Sequence, residues 1–332
     1  MESDIEYARP VDATTTLDEL DQLLIHALQL DARAPFSRIA AVLGVSDQTV
    51  ARRYRRLRTA NALRVVAVPD ARQPGHVEWL VRIRCAPAAA ADMAADLARR
   101  SDVSWVTITS GGAEITCIAR TRSQRHSDDL LLPKLSRTAR LGDITAYRLL
   151  RYLVGAGRWS ARTSALSPAQ AAALTPVRAA ARPIQPTEAD AKLIRALARD
   201  ARADYRTLVA ASGYPESTVR RRVDQLLESG AMYYDVDIDS AALGYEIEAM
   251  LWLTISPAQL AQVATALRTH TEIAFAAATT GPTNVVAFIA ARDADALFDY
   301  LATDLGALPG VRRVETAPIT RTVKRAGATF LP

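Results

Sequence analysis

The sequence predicts an α+β chain built as two copies of one plan, a helix–turn–helix domain followed by a ferredoxin-like βαββαβ domain. Three observations predict it. The chain repeats itself: Val45-Ser46-Asp47-Gln48-Thr49-Val50-Ala51-Arg52-Arg53-Tyr54-Arg55-Arg56-Leu57 is matched by Tyr214-Pro215-Glu216-Ser217-Thr218-Val219-Arg220-Arg221-Arg222-Val223-Asp224-Gln225-Leu226, with Thr49 and Thr218 169 residues apart. The same offset links Asp21 to Asp190, Ile25 to Ile194, Leu28 to Leu197, Asp31 to Asp200, Arg33 to Arg202 and Gly44 to Gly213. Hydrophobic periodicity is helical before and through each repeated segment, and alternates as in strands after it.

The elements follow in order. Asp18 to Leu30 carries Leu20, Leu23, Leu24, Ala27 and Leu28 at helical spacing. Asp18 suits the N-cap and Asp21 the positive first turn; Thr187 and Asp190 hold the same places in the second copy. A short helix over 35–43, matched by 204–212, ends at Gly44 or Gly213, which permit a left-handed exit. The third helix starts near Ser46, which can cap, or Pro215, which fits an opening turn. Trp79, Val81, Ile83 and Cys85 then alternate with Leu80, Arg82 and Arg84, as in a half-buried strand. An Ala-rich helix over 88–100, strands over 103–109 and 114–119 around Gly111-Gly112, a helix over 123–139 and a strand over 144–152 complete the first copy. The second reads strand 247–255, helix 257–269, strand 273–278, turn Gly281-Pro282, strand 284–290, helix 293–305 and strand 311–323. That order is βαββαβ twice. The expected domains are a disordered tail (1–16), helix–turn–helix 1 (17–66), βαββαβ 1 (67–154), a Pro- and Gly-containing linker with one short Ala-rich helix (155–186), helix–turn–helix 2 (187–236) and βαββαβ 2 (237–326).

Composition narrows the class. With 332 residues, 49% apolar and 23% charged, the chain can bury more than one sizeable core. The net charge of +5 says little as a total; the clustering of Arg in the third helices says more. Cys85 and Cys117 sit in apolar alternating runs and read as reduced, buried thiols. The four histidines have no metal-ligand spacing, and His26, on a helix, reads as solvated or half-packed. The N-terminus lacks a signal-peptide pattern, and no apolar run approaches the ~20 residues of a membrane span. A cytoplasmic protein without metal or cofactor is the expectation.

In the third helices, Val50, Tyr54 and Leu57, and Val219, Val223 and Leu226, recur on one face and should point to the core. That leaves Ser46, Asp47, Gln48, Thr49, Arg52, Arg53 and Arg56 in the first copy to meet DNA. In the second it leaves Glu216, Ser217, Thr218, Arg220, Arg221, Arg222 and Gln225. An α-helix fits the B-DNA major groove, where Gln can pair with adenine and Arg with guanine or phosphate. One arginine run is ordinarily a solvated helix face; the same run after a short helix and a Gly turn, twice, points to a helix–turn–helix and double-stranded DNA.

Helix–turn–helix followed by βαββαβ resembles the Lrp/AsnC family of prokaryotic transcription regulators. Leu193-Ile194 to Asp200-Ala201-Arg202, Ser217 to Val223, and Leu226-Leu227-Glu228-Ser229-Gly230 lie close to that family's pattern. The resemblance implies two family units in tandem. It also implies a sensory domain that binds an amino acid or other small metabolite through the loop between its second and third strands. The matching residues here are Ser110, Gly111, Gly112 and Glu114, and Thr280, Gly281 and Asn284. Neither loop keeps the family's aspartate; Glu114 can hold an ammonium and Asn284 brings no charge. Both loops read equally as plain hairpin turns. Single-unit relatives dimerise through their sheets, so the two sheets here are expected to pair within the chain as a pseudo-dimer, with further association between chains open. The same plan also resembles the sirohaem decarboxylases, for which Arg82, Arg84, His76 and Tyr147 are the candidates. A low-specificity architectural DNA-binding protein is the third reading.

Overall fold

A computed structural model describes residues 16–69, 77–100, 102–121, 141–155, 165–176, 184, 186–325 and 328–329. The helix expected over 123–139, His76 and most of the expected tail lie outside them.

Local signals build each helix–turn–helix. α1 (Glu19–Leu30) opens on a capping box: the Asp21 N–H donates to Asp18 and the Asp18 N–H donates back to Asp21. Thr187 and Asp190 form the same box on α6 (Glu188–Arg199). α2 (Phe36–Leu43) and α7 (Tyr205–Ser212) stop at Gly44 and Gly213, whose φ of +69° and +77° costs a glycine little. α3 (Asp47–Thr59) and α8 (Glu216–Glu228) follow, burying Val50, Tyr54 and Leu57, and Val219, Val223 and Leu226, as expected.

β1 (Leu63–Pro69) and β6 (Met232–Ile238) were not among the expected elements. They pair antiparallel as a separate ribbon, in which Val66 faces Asp235, its own counterpart in the repeat. Val65, Ala67, Tyr234, Val236 and Ile238 join the cores of the helical units, so the ribbon welds those units together. Reciprocal arginines reinforce the joint. Arg33 donates to the Ala201 and Ala203 carbonyls, and Arg202 to those of Ala32 and Ala34, at 2.7 and 2.9 Å. Each guanidinium also stacks across the joint, Arg33 over Tyr205 and Arg202 over Phe36. Such pairwise exchange is the mark of a two-fold interface, here formed within one chain.

The first βαββαβ comprises β2 (Val77–Cys85), α4 (Pro87–Arg99), β3 (Val103–Thr109), β4 (Glu114–Thr121) and β5 (Leu141–Val154). The second comprises β7 (Ile247–Ile255), α9 (Leu260–Leu267), β8 (Ile273–Thr279), β9 (Val285–Ala291), α10 (Ala294–Asp299) continued by a wide turn at Tyr300–Leu305, and β10 (Val311–Arg325). A short β11 (Ala328–Thr329) ends the described chain. The long strands change partners midway. β5 pairs with β2 as far as Arg148 and with β8 from Leu149; β10 pairs with β7 as far as Pro318 and with β3 from Ile319. The order β10-β3-β4-β2-β5-β8-β9-β7, with β7 returning to β10, closes the two sheets into one ring. The sheets therefore pair within the polypeptide.

Ring closure corrects the half-buried reading of β2. Val81 and Ile83 pack under α4, while Leu80, only 1% exposed, joins Ile118, Tyr147, Met250, Trp252 and Phe288 between the sheets. Each such side chain contributes roughly 1.5–3 kcal/mol by leaving water. The described stretch of the linker over 165–176 is docked too. α5 (Pro168–Leu174) buries Leu174 against the first helical unit, and Arg38 donates to the Ala173 carbonyl at 2.7 Å. The Leu166 N–H donates to His26 Nδ1 at 3.1 Å, so His26 is buried rather than solvated, and desolvation holds its pKa below the ordinary value. Both cysteines are free, and burial pushes the Cys117 thiol up to about 12. Among the described residues no helix is long and apolar enough to cross a membrane.

Candidate nucleic-acid interface

α3 presents a polar face whose start is fixed by Ser46. Its Oγ accepts from the Thr49 N–H at 3.1 Å and lies 2.9 Å from Thr49 Oγ1. Ser46, Asp47, Gln48 and Arg52 are exposed, and Ser46, Gln48, Thr49, Arg52 and Arg55 line an open depression along the helix. Arg55 was not among the expected residues; its periodicity, one residue past the buried Tyr54, already placed it outside the core stripe. In the second unit Glu216, Ser217, Arg220 and Arg221 are exposed and Thr218 is half-buried. Arg220 pairs with Glu216 one turn back, at 2.6 Å, and lies 3.7 Å from the Tyr205 ring centroid.

The geometry separates the arginines into two kinds. Arg52, Arg55 and Arg221 project from the helices. Arg53 instead grips Asp18 and Asp21, at 2.6 and 2.9 Å, and Arg222 grips Asp190, its Nε donating at 2.9 Å. Asp21 and Asp190 are 0% exposed, so each is neutralised by an arginine from the third helix and capped within its own. The Arg53 hydrogen bond holds the Asp18 carboxyl below the ordinary carboxylate range. At Asp190 burial acts upward, but Arg222 and Thr187 outweigh it and the pKa is lowered. Arg53 and Arg222 are therefore positioning residues that set α3 against α1 and α8 against α6. The signal was present: an Asp and an Arg 32 residues apart recur in both copies. Arg56 also reaches Asp21, and Gln225 accepts from Arg222 at 3.0 Å.

The expected effector loops are occupied by internal partners. Glu114 takes a fork from Arg82, at 2.9 and 3.1 Å, and a contact from Arg84 at 3.2 Å. Asn284 Oδ1 accepts from the Ile255 N–H and its Nδ2 donates to the Ile255 carbonyl, a side chain standing in for a strand partner. Thr280 zips onto β5 through Arg148, and Gly281 lies on the Tyr147 ring. Ser110 and Gly111 adopt positive φ in a short turn beside Gly112.

The decarboxylase candidates are likewise engaged. Arg82 pairs with Glu114 and Glu315 and sits 4.9 Å from the Trp252 ring centroid, Arg84 pairs with Glu114, and Tyr147 packs on Trp252.

Fold and surface together define a tandem helix–turn–helix protein whose two units form one pseudo-dimer. Residues 17–58 match the AsnC-type helix-turn-helix domain and residues 248–329 the Lrp/AsnC ligand binding domain. Over 146 residues the chain is 32% identical to the HTH-type transcriptional regulator FL11 of Pyrococcus horikoshii, spanning 44% of this chain and 95% of that protein. It is 31% identical over 136 residues to the regulator Ptr1 of Methanocaldococcus jannaschii, spanning 41% and 92%. The chain belongs to the Lrp/AsnC family. One relative's length accounts for less than half of it, as a duplication requires. Across its length the fold is similar to that of the siroheme decarboxylase NirDL, with a TM-score of 0.59, 13% identity and 93% of each chain covered. That likeness shows that the tandem arrangement is a shared fold.

Proposed function

We propose that this protein is a transcriptional regulator that binds double-stranded DNA specifically through α3 and α8. The observation that carries this reading is the pair of exposed third-helix faces on two helix–turn–helix units locked together by the β1–β6 ribbon. Gln48, Thr49 and Ser217 supply donors and acceptors for base edges; Arg52, Arg55 and Arg221 supply charge for phosphates or guanine. Because Arg53 and Arg222 are spent on buried carboxylates, they support recognition by fixing the helices. Further association of whole chains is compatible with family behaviour. A response to a small molecule is part of the proposal, since the second unit carries the match to the Lrp/AsnC ligand binding domain.

The chemistry present argues against tetrapyrrole decarboxylation. A substrate bearing many carboxylates needs free cations; Arg82 is committed to Glu114 and Glu315, and Arg84 touches the same Glu114 through its Nε. The test is a gel-shift titration of the full chain on genomic fragments with competitor DNA at fixed salt. A local regulator binds its best fragment at least ~10³-fold tighter than bulk DNA. A ratio near unity contradicts the regulator and supports an architectural protein instead.

A further inference from the structure

Between the inner faces of the two sheets and the β1–β6 ribbon lies a cavity of about 90 Å³. Its wall is drawn from the ribbon and both sheets: Val68, Tyr233 and Asp235 from the ribbon, Glu78 and Trp105 from the first sheet, Phe275 and Phe288 from the second.

The charges on this wall do not balance locally. Glu78 accepts from Arg120 at 3.0 Å and from the Tyr152 hydroxyl. Asp237 has Arg325 at 3.3 Å, but Arg325 is shared with Glu248 at 2.9 Å. Asp235 is 9% exposed, and among the described residues its carboxyl has the Val236 N–H as its hydrogen-bond donor and no ion-pair partner. A buried carboxylate whose neighbouring cation, Arg325, is already ion-paired to Asp237 and Glu248 is costly. Burial and the neighbouring Asp237 accordingly push the Asp235 carboxyl up to about 6.

We propose that this cavity binds a small organic ammonium ion, a primary amine of a few heavy atoms, with Asp235 as its counter-ion and the aromatic wall against its charge. Trp105, Tyr233, Phe275 and Phe288 line the cavity, and aromatic rings attract a cation and exclude water. The space holds several waters or one such ion and is far below the ~300 Å³ of a drug-sized pocket. The duplication explains why a single counter-ion stands here. Asp235 faces Val66 across the ribbon, and the two are equivalent positions of the repeat. In a symmetric dimer an aspartate at this place faces a second aspartate on the axis. A fused chain is free to keep one.

The site also has the placement an effector needs. One face of β6 lines the cavity through Tyr233 and Asp235, while its other face, through Tyr234 and Ile238, packs into the helix–turn–helix cores. An ammonium in the cavity touches the strand that joins the DNA-reading units; this regulatory role rests on the reading proposed above.

The test uses the full chain without DNA. Thermal unfolding is followed with increasing ethylammonium chloride at constant ionic strength, with ethanol as the neutral partner of similar size and with Asp235→Asn as the variant. The proposal expects a saturable rise in Tm with ethylammonium, none with ethanol, and loss of the rise in the variant. Equal shifts in parent and variant, equal shifts with ethanol, or no shift with ethylammonium overturn it. Because DNA is absent, binding of the amine stands or falls separately from the regulator reading, which the gel shift decides.

Discussion

Replacing Arg222 by alanine removes the only cation described as bonded to Asp190, a carboxylate that is 0% exposed at the start of α6. Removing one partner of a buried pair ordinarily costs about 3–5 kcal/mol, because the survivor is left charged in a poorly solvating site. Two features place Arg222→Ala at the lower end. Arg222 itself is 17% exposed, and Asp190 keeps the Thr187 N–H and hydroxyl at 2.7 and 2.8 Å. The expected loss is about 3 kcal/mol. For a 332-residue chain with an unfolding entropy of about 2.1 cal/mol/K per residue, that is a fall of about 4 °C in Tm. The double variant Asp190→Asn/Arg222→Ala is expected to recover part of the loss, since it leaves no uncompensated charge. The pH dependence has a definite sign. Asp190 is held below its ordinary 3.8, so the pair stabilises the fold above that pH. The contribution fades as pH falls through the lowered folded value, and the gap between parent and Arg222→Ala narrows in acid. Differential scanning fluorimetry on parent, both single variants and the double variant completes the cycle. If Arg222→Ala melts with the parent yet binds DNA more weakly, Arg222 is a DNA contact and the positioning role assigned to it is wrong.

Other substitutions probe the DNA face, the cavity and the Gly281 turn. Arg52→Ala and Arg221→Ala should leave the fold intact. For a phosphate contact each lowers the slope of log affinity against log salt by about 1, measured by fluorescence anisotropy; an unchanged slope and affinity removes that residue from the interface. Asp235→Asn should stabilise the ligand-free chain above pH 6, because a carboxyl raised from 3.8 to about 6 penalises folding by up to about 3 kcal/mol once ionised. The advantage shrinks as pH falls from 6 towards 3.8, and a variant less stable than the parent at pH 8 contradicts the unpaired carboxylate facing Asp237, Arg325, Glu78 and Arg120. Gly281→Ala should cost about 2 kcal/mol more than Gly213→Ala in urea unfolding. Both glycines have positive φ, but a Cβ on Gly281 meets the packed Tyr147 ring and one on Gly213 meets nothing within 4 Å; equal costs contradict that close approach.

Much of this architecture was legible because short-range chemistry and the repeat agree. Capping aspartates, Gly exits and two hydrophobic periods each specify an element from its own residues. The β1 and β6 strands were missed although Arg64-Val65-Val66-Ala67-Val68 is a β-branched run, since neither has a partner nearby in sequence; the partner is the other copy. The same long-range pairing buried Leu80 and half-buried Arg82, whose face alternation suggests exposure. At the site, helical periodicity separated core from surface but not contact from support. Arg53 and Arg222 lie at the edge of the core stripe, where a long side chain can reach a buried carboxylate on another helix. The internal partners of Glu114 and Asn284, which are Arg82 and the Ile255 backbone, were not legible for the same reason, because they lie on neighbouring strands.

Two unlike third helices sit in one pseudo-dimer. Position by position Gln48 is matched by Ser217, Ala51 by Arg220, Arg55 by Asp224 and Arg56 by Gln225. A symmetric dimer reads a palindrome; these helices present different donors and acceptors to their half-sites. Binding-site selection from random DNA with the parent, and with a chimera carrying residues 216–222 in place of 47–53, tests this most directly. The parent should select two unlike half-sites about one helical turn, or a multiple, apart, and the chimera a more symmetric site. A perfect palindrome as the parent's best site, with both halves protected in a footprint, would contradict it.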